Sequence, residues 1–444
     1  MNVKGRLKAG WLAGIGAVLW STGAWAQEMA PASAGRIDSG DTAWVLAATA
    51  LVTAMIVPGL ALFYGGMVRS KNVLGTMMHS FLILCVVSLV WVLWGYSLAF
   101  APDKGGVIGG LDWTFLSGVG AAPHPLYAPT VPHVAFMIFQ LLFAAFTPAL
   151  IVGAFAERIR FGALVVFTVA WSLFVYAPLA HWMWGGGWLS KLGAVDFAGG
   201  TVVHLSAGAS ALACALVLGS RRGWRTDYMA PHNLPFVLVG TGLLWFGWFG
   251  FNGGSARAAN GVAAGAVAAT HLAAAASALA WMAVEWTHRG KPTVLGVASG
   301  AVAGMASVTA GAGFIGPMSA GLIGATAGVL AYLAIVWKGK FGYDDTLDVV
   351  GLHGVGGVVG MLGVGLLAST SVNPAGPNGL LFGNPGQLAT QAMAAGVAVV
   401  FAFVGTYLIL KVLDGMIKLR VSPEEEATGL DLSQHNERAY SSYS

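Results

Sequence analysis

A chain of 444 residues that is 57% hydrophobic and only 9% charged cannot clothe a water-facing surface of its own size. A mean hydropathy of +0.74 excludes a soluble globular domain of this length, and a formal charge of +4 offers no footing for nucleic acid. What remains is a polytopic α-helical membrane protein, rich in the Gly (64 residues) and Ala that let membrane helices approach closely.

Residues 1–26 carry Lys4, Arg6 and Lys8 ahead of a short apolar core. Ala24-Trp25-Ala26 then forms a small-x-small cleavage site before Gln27, the pattern of a secretory signal peptide. Residues 27–420 read as a membrane domain. Its apolar runs predict eleven spans, the first five near 42–66, 73–100, 134–156, 161–183 and 199–219. The next five fall near 234–252, 260–286, 293–311, 317–337 and 346–369, and the last near 388–415. Cys85 and Cys214 lie inside spans and read as free thiols. A polar, acidic tail follows over 421–444.

Basic residues sort the loops. Arg69, Lys71, Arg158, Arg160, Arg221, Arg222, Arg225, Arg289, Lys291, Lys338 and Lys340 fall in one set, with Lys418 and Arg420 after the last span. The other set holds Arg36, Lys104, Lys191 and Arg257. By the positive-inside rule the N-terminus is outside and the C-terminus inside, which the signal peptide also requires.

Two histidines stand out. His204 lies in GGTVVHLSAGASALACALVLG with Asp196 eight residues upstream, and His353 lies in VVGLHGVGGVVGMLGVGLL with Asp348 five residues upstream. An ionisable group at bilayer depth needs a partner, and two in similar glycine-rich surroundings are expected to partner each other. They fall in the fifth and tenth spans. Spans one to five and six to ten then have opposite orientation, the arrangement of an inverted repeat with its site between the halves. His271, in AATHLAAAA, reads as a buried packing residue, and His79, His133 and His181 as structural or interfacial.

Further segments complete a pattern: Phe139-Gln-Leu-Leu-Phe143, WGGGW opening at Trp184, and DFAGGTVVHLSAGASALA. GWFGFNGGS over 247–255, DDTLDVVGLHGVGG and a tail reading LRVSPEEEATGLDLSQHNERAY follow in order. From residue 41 onward this resembles the Amt/Mep/Rh family of ammonium transporters, in its bacterial Amt branch. The resemblance implies a homotrimer in the bacterial inner membrane with a pore in each subunit. Each subunit would hold two five-helix inverted repeats plus an eleventh helix. By motif match, Phe139, Phe143, Trp184 and Ser255 form an outer recruitment site, Phe143 and Phe251 a stacked gate, and His204 and His353 the twin histidines lining the pore. Asp196, Trp248 and Asp348 take supporting places, Asp348 as a cap or inner-vestibule residue. The tail is implied to pack on cytoplasmic loops and to serve a PII-type signal protein. No metal or cofactor is implied.

The chemistry suits these residue types. Ammonium matches potassium in size and charge but donates directional hydrogen bonds and can lose a proton. Aromatic faces can hold a cation as it sheds water, at about 0.5–2 kcal/mol per contact, and Ser255 can accept one of its hydrogen bonds. An apolar path beyond the phenyl rings penalises any ion that cannot become neutral. Imidazoles sharing one hydrogen bond through their δ nitrogens have fixed tautomers and present their other nitrogens to the path. Carriage of ammonia alone and of ammonia with a separately moving proton both fit the residues. Asp196 either caps the fifth helix or stabilises the cation. Two other readings are an ammonium sensor acting through a PII-type partner, and a haem protein with His204 and His353 as axial ligands. The aromatic recruitment set weighs against the latter.

Overall fold

A computed structural model describes residues 35–440, so the expected signal peptide at 1–26 lies outside the described residues. Among the described residues, ten helices are long and apolar enough to cross a membrane. They are α1 (Ser39–Met67), α2 (Ser70–Phe100), α3 (His133–Phe155), α4 (Phe161–Lys191), α5 (Gly200–Leu218), α6 (Leu234–Gly254) and α7 (Gly261–Arg289), then α9 (Pro317–Phe341), α10 (Val350–Leu367) and α11 (Pro385–Ile417). Between α7 and α9 lies α8 (Val294–Val308), apolar but only 15 residues long. At 1.5 Å per residue it reaches about 22 Å, short of a bilayer's hydrocarbon core. The expected span at 293–311 is cut back because Gly311 N–H bonds to the Val308 carbonyl and turns the chain. The expected span at 346–369 likewise starts late, since residues 344–348 form a polar loop. Expected as all-α, the fold also holds two short antiparallel hairpins in the 101–132 loop: β1 (Asp103–Lys104) with β2 (Ile108–Gly109), and β3 (Pro123–His124) with β4 (Ala128–Pro132).

Several spans contain π-helical turns, which are rare and concentrate at functional sites. In α1 the turn Met55–Leu60 surrounds Pro58, whose ring and missing N–H disrupt regular α-helical bonding. The other two that matter open helices. Gly200–Leu205 begins α5 and contains His204; Val350–Val355 begins α10 and contains His353. Helices α3 and α5 are buried along most of their length, whereas α11 is mostly exposed. The centre of the molecule is therefore where α3, α5 and α10 converge.

Residues 421–440 of the tail pack against the body of the protein. Ser422 and Glu425 form a reciprocal capping box that starts α12 (Pro423–Thr428), and α13 (Leu430–His435) follows. Lys71 Nζ donates to the carbonyls of Glu426 and Ala427, and Asn72 Oδ1 accepts from Leu430 N–H. Asp431 Oδ1 accepts from Gly75 N–H at 2.8 Å. The tail thus packs on the α1–α2 turn. Beneath it the fully buried Arg158 guanidinium donates to the carbonyls of Ala154, Ala156, Gly219 and Asp344 and to Thr346 Oγ1. A cation with so many acceptors ties the α3–α4, α5–α6 and α9–α10 connections together.

Candidate functional site

Asp196 precedes α5 and its carboxylate is consumed by backbone. Oδ1 accepts from Gly199 and Gly200 N–H at 2.8 and 2.7 Å; Oδ2 accepts from Thr201 and Val202 N–H at 2.7 and 3.1 Å. These are the donors that a helix start leaves without intrahelical partners. Its backbone carbonyl also accepts from Trp184 Nε1–H at 2.8 Å. Asp196 therefore fixes both the histidine-bearing turn and the indole. Of its two expected roles, the geometry supplies the cap.

The second half repeats this arrangement, with a correction. The acid eight residues before His353 is Asp345, and its Oδ2 accepts from Val350 N–H at 2.7 Å at the start of α10. Asp348 does not cap the helix. It takes a positive φ of 65° and forms an ion pair with Lys338, whose ammonium also donates to the Asp345 carbonyl. Asp345 Oδ1 is buried without a partner. Burial pushes this carboxyl up to about 7, with Asp348 adding to the rise; Lys338 and the N–H groups of Val350 and Val349 oppose it.

The two π-helical turns bring His204 and His353 together, with Nδ1 to Nδ1 at 3.2 Å. The rings are within 18° of parallel, with centroids 5.2 Å apart. Both are essentially solvent-free, so one Nδ1 carries the shared hydrogen and the other accepts it. Nitrogens this close leave no gap for a porphyrin plane, which removes the haem reading. His204 Nε2 is buried and meets no protein partner. Trp248 stacks on His204 at 5.2 Å and is held by its Nε1–H donating to Thr309 Oγ1 at 2.9 Å.

Toward the end of the molecule carrying the hairpins, Phe143 and Phe251 stack with centroids 4.1 Å apart. Outside them opens a cavity of about 460 Å³ lined by Phe143, Trp184, Ser255, Gln140 and Arg257 among others. The Trp184 ring stands at 88° to Phe143, 6.0 Å away. Ser255 Oγ–H donates to the Phe251 carbonyl at 2.8 Å, which leaves its lone pairs free to accept. Phe139 departs from the rest. It is fully buried behind Phe143, edge-on at 4.9 Å, and is not among the residues lining the cavity.

Other histidines fall outside this line. His133 bonds Tyr96, and His181 bridges the Ala99 carbonyl and Asp103. His271, expected to be buried, is exposed on the flank of α7 against Trp245. Sequence reading missed Asp345 and Arg257 as residues of the site. For Asp345 the signal was present in the shared spacing of eight.

With this geometry in place, comparison with known proteins is specific. A family model described as Ammonium Transporter Family matches residues 43–440. A Bacillus subtilis protein named as an ammonium transporter is 50% identical over 402 residues, covering 90% of this chain and 98% of its own. The crystal structure of Mep2 from Candida albicans aligns with a TM-score of 0.83 at 36% identity over 88% of each chain. A solved structure described as a sensor Amt protein aligns with a TM-score of 0.82 at 30% identity, covering 89% of this chain and 98% of that one.

Proposed function

Because the chain belongs to the ammonium transporter family, a family of multi-pass membrane transporters and not of enzymes, we propose that it recruits ammonium at the outer aromatic cavity and conducts it as ammonia past the paired histidines. The observation that carries this reading is the 3.2 Å contact between two buried imidazoles behind a stacked phenyl pair. In the cavity, Trp184 and Phe143 offer ring faces to a cation and Ser255 offers an acceptor, with Phe139 backing Phe143. Asp196 acts by holding Trp184 and the α5 turn in place, not by facing the ion.

Passing the Phe143–Phe251 pair requires that water be shed. An ion that cannot become neutral meets a large desolvation penalty there, and ammonium avoids it by leaving its proton behind. The imidazole pair supplies polar contacts in the apolar interior. Protonation of the donor ring at its Nε2, transfer of the shared hydrogen to the partner's Nδ1 and loss of the partner's Nε2 proton on the far side would pass a proton along the pair separately from ammonia. The net movement is then one ammonium equivalent.

In this reading α8 makes the eleventh crossing, lengthened by the buried turn after Val308. Spans α1–α5 and α6–α10 are inverted repeats, supported by the acid–eight–histidine arrangement at the start of both α5 and α10. The N-terminus faces outside the bacterial inner membrane, the tail faces the cytoplasm, and three subunits assemble with a pore in each. The docked tail is the surface that a PII-type partner would use. The likeness to a sensor Amt protein supports a second reading, in which ammonium binding is relayed to such a partner.

The test is an ammonium jump on proteoliposomes with current and internal pH recorded together. Conduction with proton transfer gives inward current; neutral ammonia conduction gives internal alkalinisation without current. Neither signal, in vesicles shown to contain folded protein, would remove the transport reading and leave the sensor.

A further inference from the structure

The outer cavity holds a charge that a cation-recruiting site has no evident use for. Arg257 lies three residues beyond the end of α6, in the 255–260 connection, and lines the same cavity as Ser255 and Trp184. Its Nη1–H donates to the Tyr127 carbonyl at 3.0 Å, and its backbone N–H donates to the Gly254 carbonyl. Among the described ion pairs none involves it. The only other charged residue lining the cavity is Asp196, whose carboxylate is already saturated by four backbone N–H groups. The nearby Asp41 accepts from Ala259 N–H instead. Burial lowers the guanidinium's basicity, but arginine in a protein stays protonated at any physiological pH. The backbone at Arg257 is left-handed, with φ of 57°, a conformation where glycine is favoured and a long side chain is not. The position thus holds a cation with no ion-pair partner among the described residues where the backbone alone would prefer no side chain.

We infer that Arg257 is a specificity-determining residue of the recruitment cavity: its fixed positive charge weakens capture of every monovalent cation and favours the neutral form of the bound substrate. The inference rests on the proposed transport reading. Two effects follow from the same field. A cation entering the cavity is repelled, which raises the concentration needed to half-saturate transport. Ammonium already bound beside a like charge gives up its proton more readily, because a neighbouring positive charge disfavours the charged form. Capture is traded for easier deprotonation at the phenyl pair. The repulsion is screened by salt, so it is largest at low ionic strength.

Two substitutions separate charge from architecture. Arg257→Gln removes the charge and retains an N–H donor for the Tyr127 carbonyl. Arg257→Lys retains the charge and changes the donor geometry. Ammonium-evoked currents are measured on proteoliposomes at low ionic strength and again with N-methylglucamine chloride added. The Gln variant is expected to half-saturate at an ammonium concentration about two- to fivefold lower than wild type, the size expected of one charge acting across a hydrated cavity. The difference should shrink with added salt, and the Lys variant should follow wild type. Equal half-saturation in Gln and wild type, or an equal shift in Gln and Lys, overturns the assignment and leaves Arg257 as a tether for the outer hairpin. Where the wild type alkalinises the vesicle interior without current, the same half-saturation comparison is read from internal pH; a wild type silent in both overturns the transport reading, and this inference falls with it.

Discussion

Gly208 on α5 and Gly354 on α10 meet backbone to backbone: a methyl group on Gly208 would overlap the Gly354 Cα and amide nitrogen. The contact sits one helical turn from His204 and beside His353, so it sets how close the imidazoles come. Helix approach through small residues is a general membrane device, and here it fixes the distance of a functional pair.

Gly208→Ala should therefore push α5 and α10 apart by roughly 1 Å and stretch the shared hydrogen bond beyond reach. Overpacking of this kind destabilises by about 1–3 kcal/mol, and misplacement on that scale lowers function by roughly tenfold or more. Melting temperature in detergent and ammonium-evoked current check both parts. Wild-type current in a folded Gly208→Ala protein would show that the histidine spacing does not matter.

Asp196 gives a graded prediction. Asp196→Ala leaves four buried N–H donors without an acceptor, at about 1–3 kcal/mol for each one left unsatisfied. Asp196→Asn retains one oxygen and satisfies about half of them. Thermal stability should fall in the order wild type, Asn variant, Ala variant, with transport lost in step. If Asp196→Ala folds with wild-type stability but binds ammonium weakly, the electrostatic role wins over the cap.

Much of this was legible in the sequence because membrane spans are written in length and hydropathy. The ten long helices fall where apolar runs of about 20 residues predict them. The short α8 was not legible, since its glycine-rich continuation past Val308 has the same hydropathy whether it is helix or turn. Pairing Asp348 with His353 rested on a local match of β-branched residues and glycine. A cap has a geometric requirement instead, and the spacing from Asp196 to His204 selects Asp345. The outward His271 shows the limit of reading burial from an apolar neighbourhood: lipid-facing and core-facing helix sides have the same composition.

Asp345 makes stability depend on pH. The folded carboxyl holds its proton up to about pH 7, while an unfolded aspartate releases it near about 3.9. Between those values unfolding releases a proton, so stability is full at the acid end and falls as pH rises through the window. Wild type should melt at a higher temperature at pH 5 than at pH 8, and Asp345→Asn should flatten that slope. An unchanged slope in the Asn variant would show that Asp345 is ionised throughout.

Gly429 joins the two tail helices with φ of 102°, and a methyl there would lie 2.5 Å from the Lys71 carbonyl. Gly429→Val faces both the left-handed backbone and the clash. The tail should detach, and limited proteolysis after Val421 should speed up by roughly tenfold or more as the open form becomes populated. Unchanged protection would show that the docking contacts of Lys71, Asn72 and Gly75 tolerate a shifted tail.

The most direct test of the central claim is potassium against ammonium in the His204→Ala/His353→Ala double variant, recorded as current on proteoliposomes. Wild type should respond to ammonium and not to potassium. In the variant the ammonium response should be lost, or a potassium response should appear beside it, because the paired imidazoles no longer separate proton from ammonia. A variant that conducts ammonium and rejects potassium as wild type does would contradict the account.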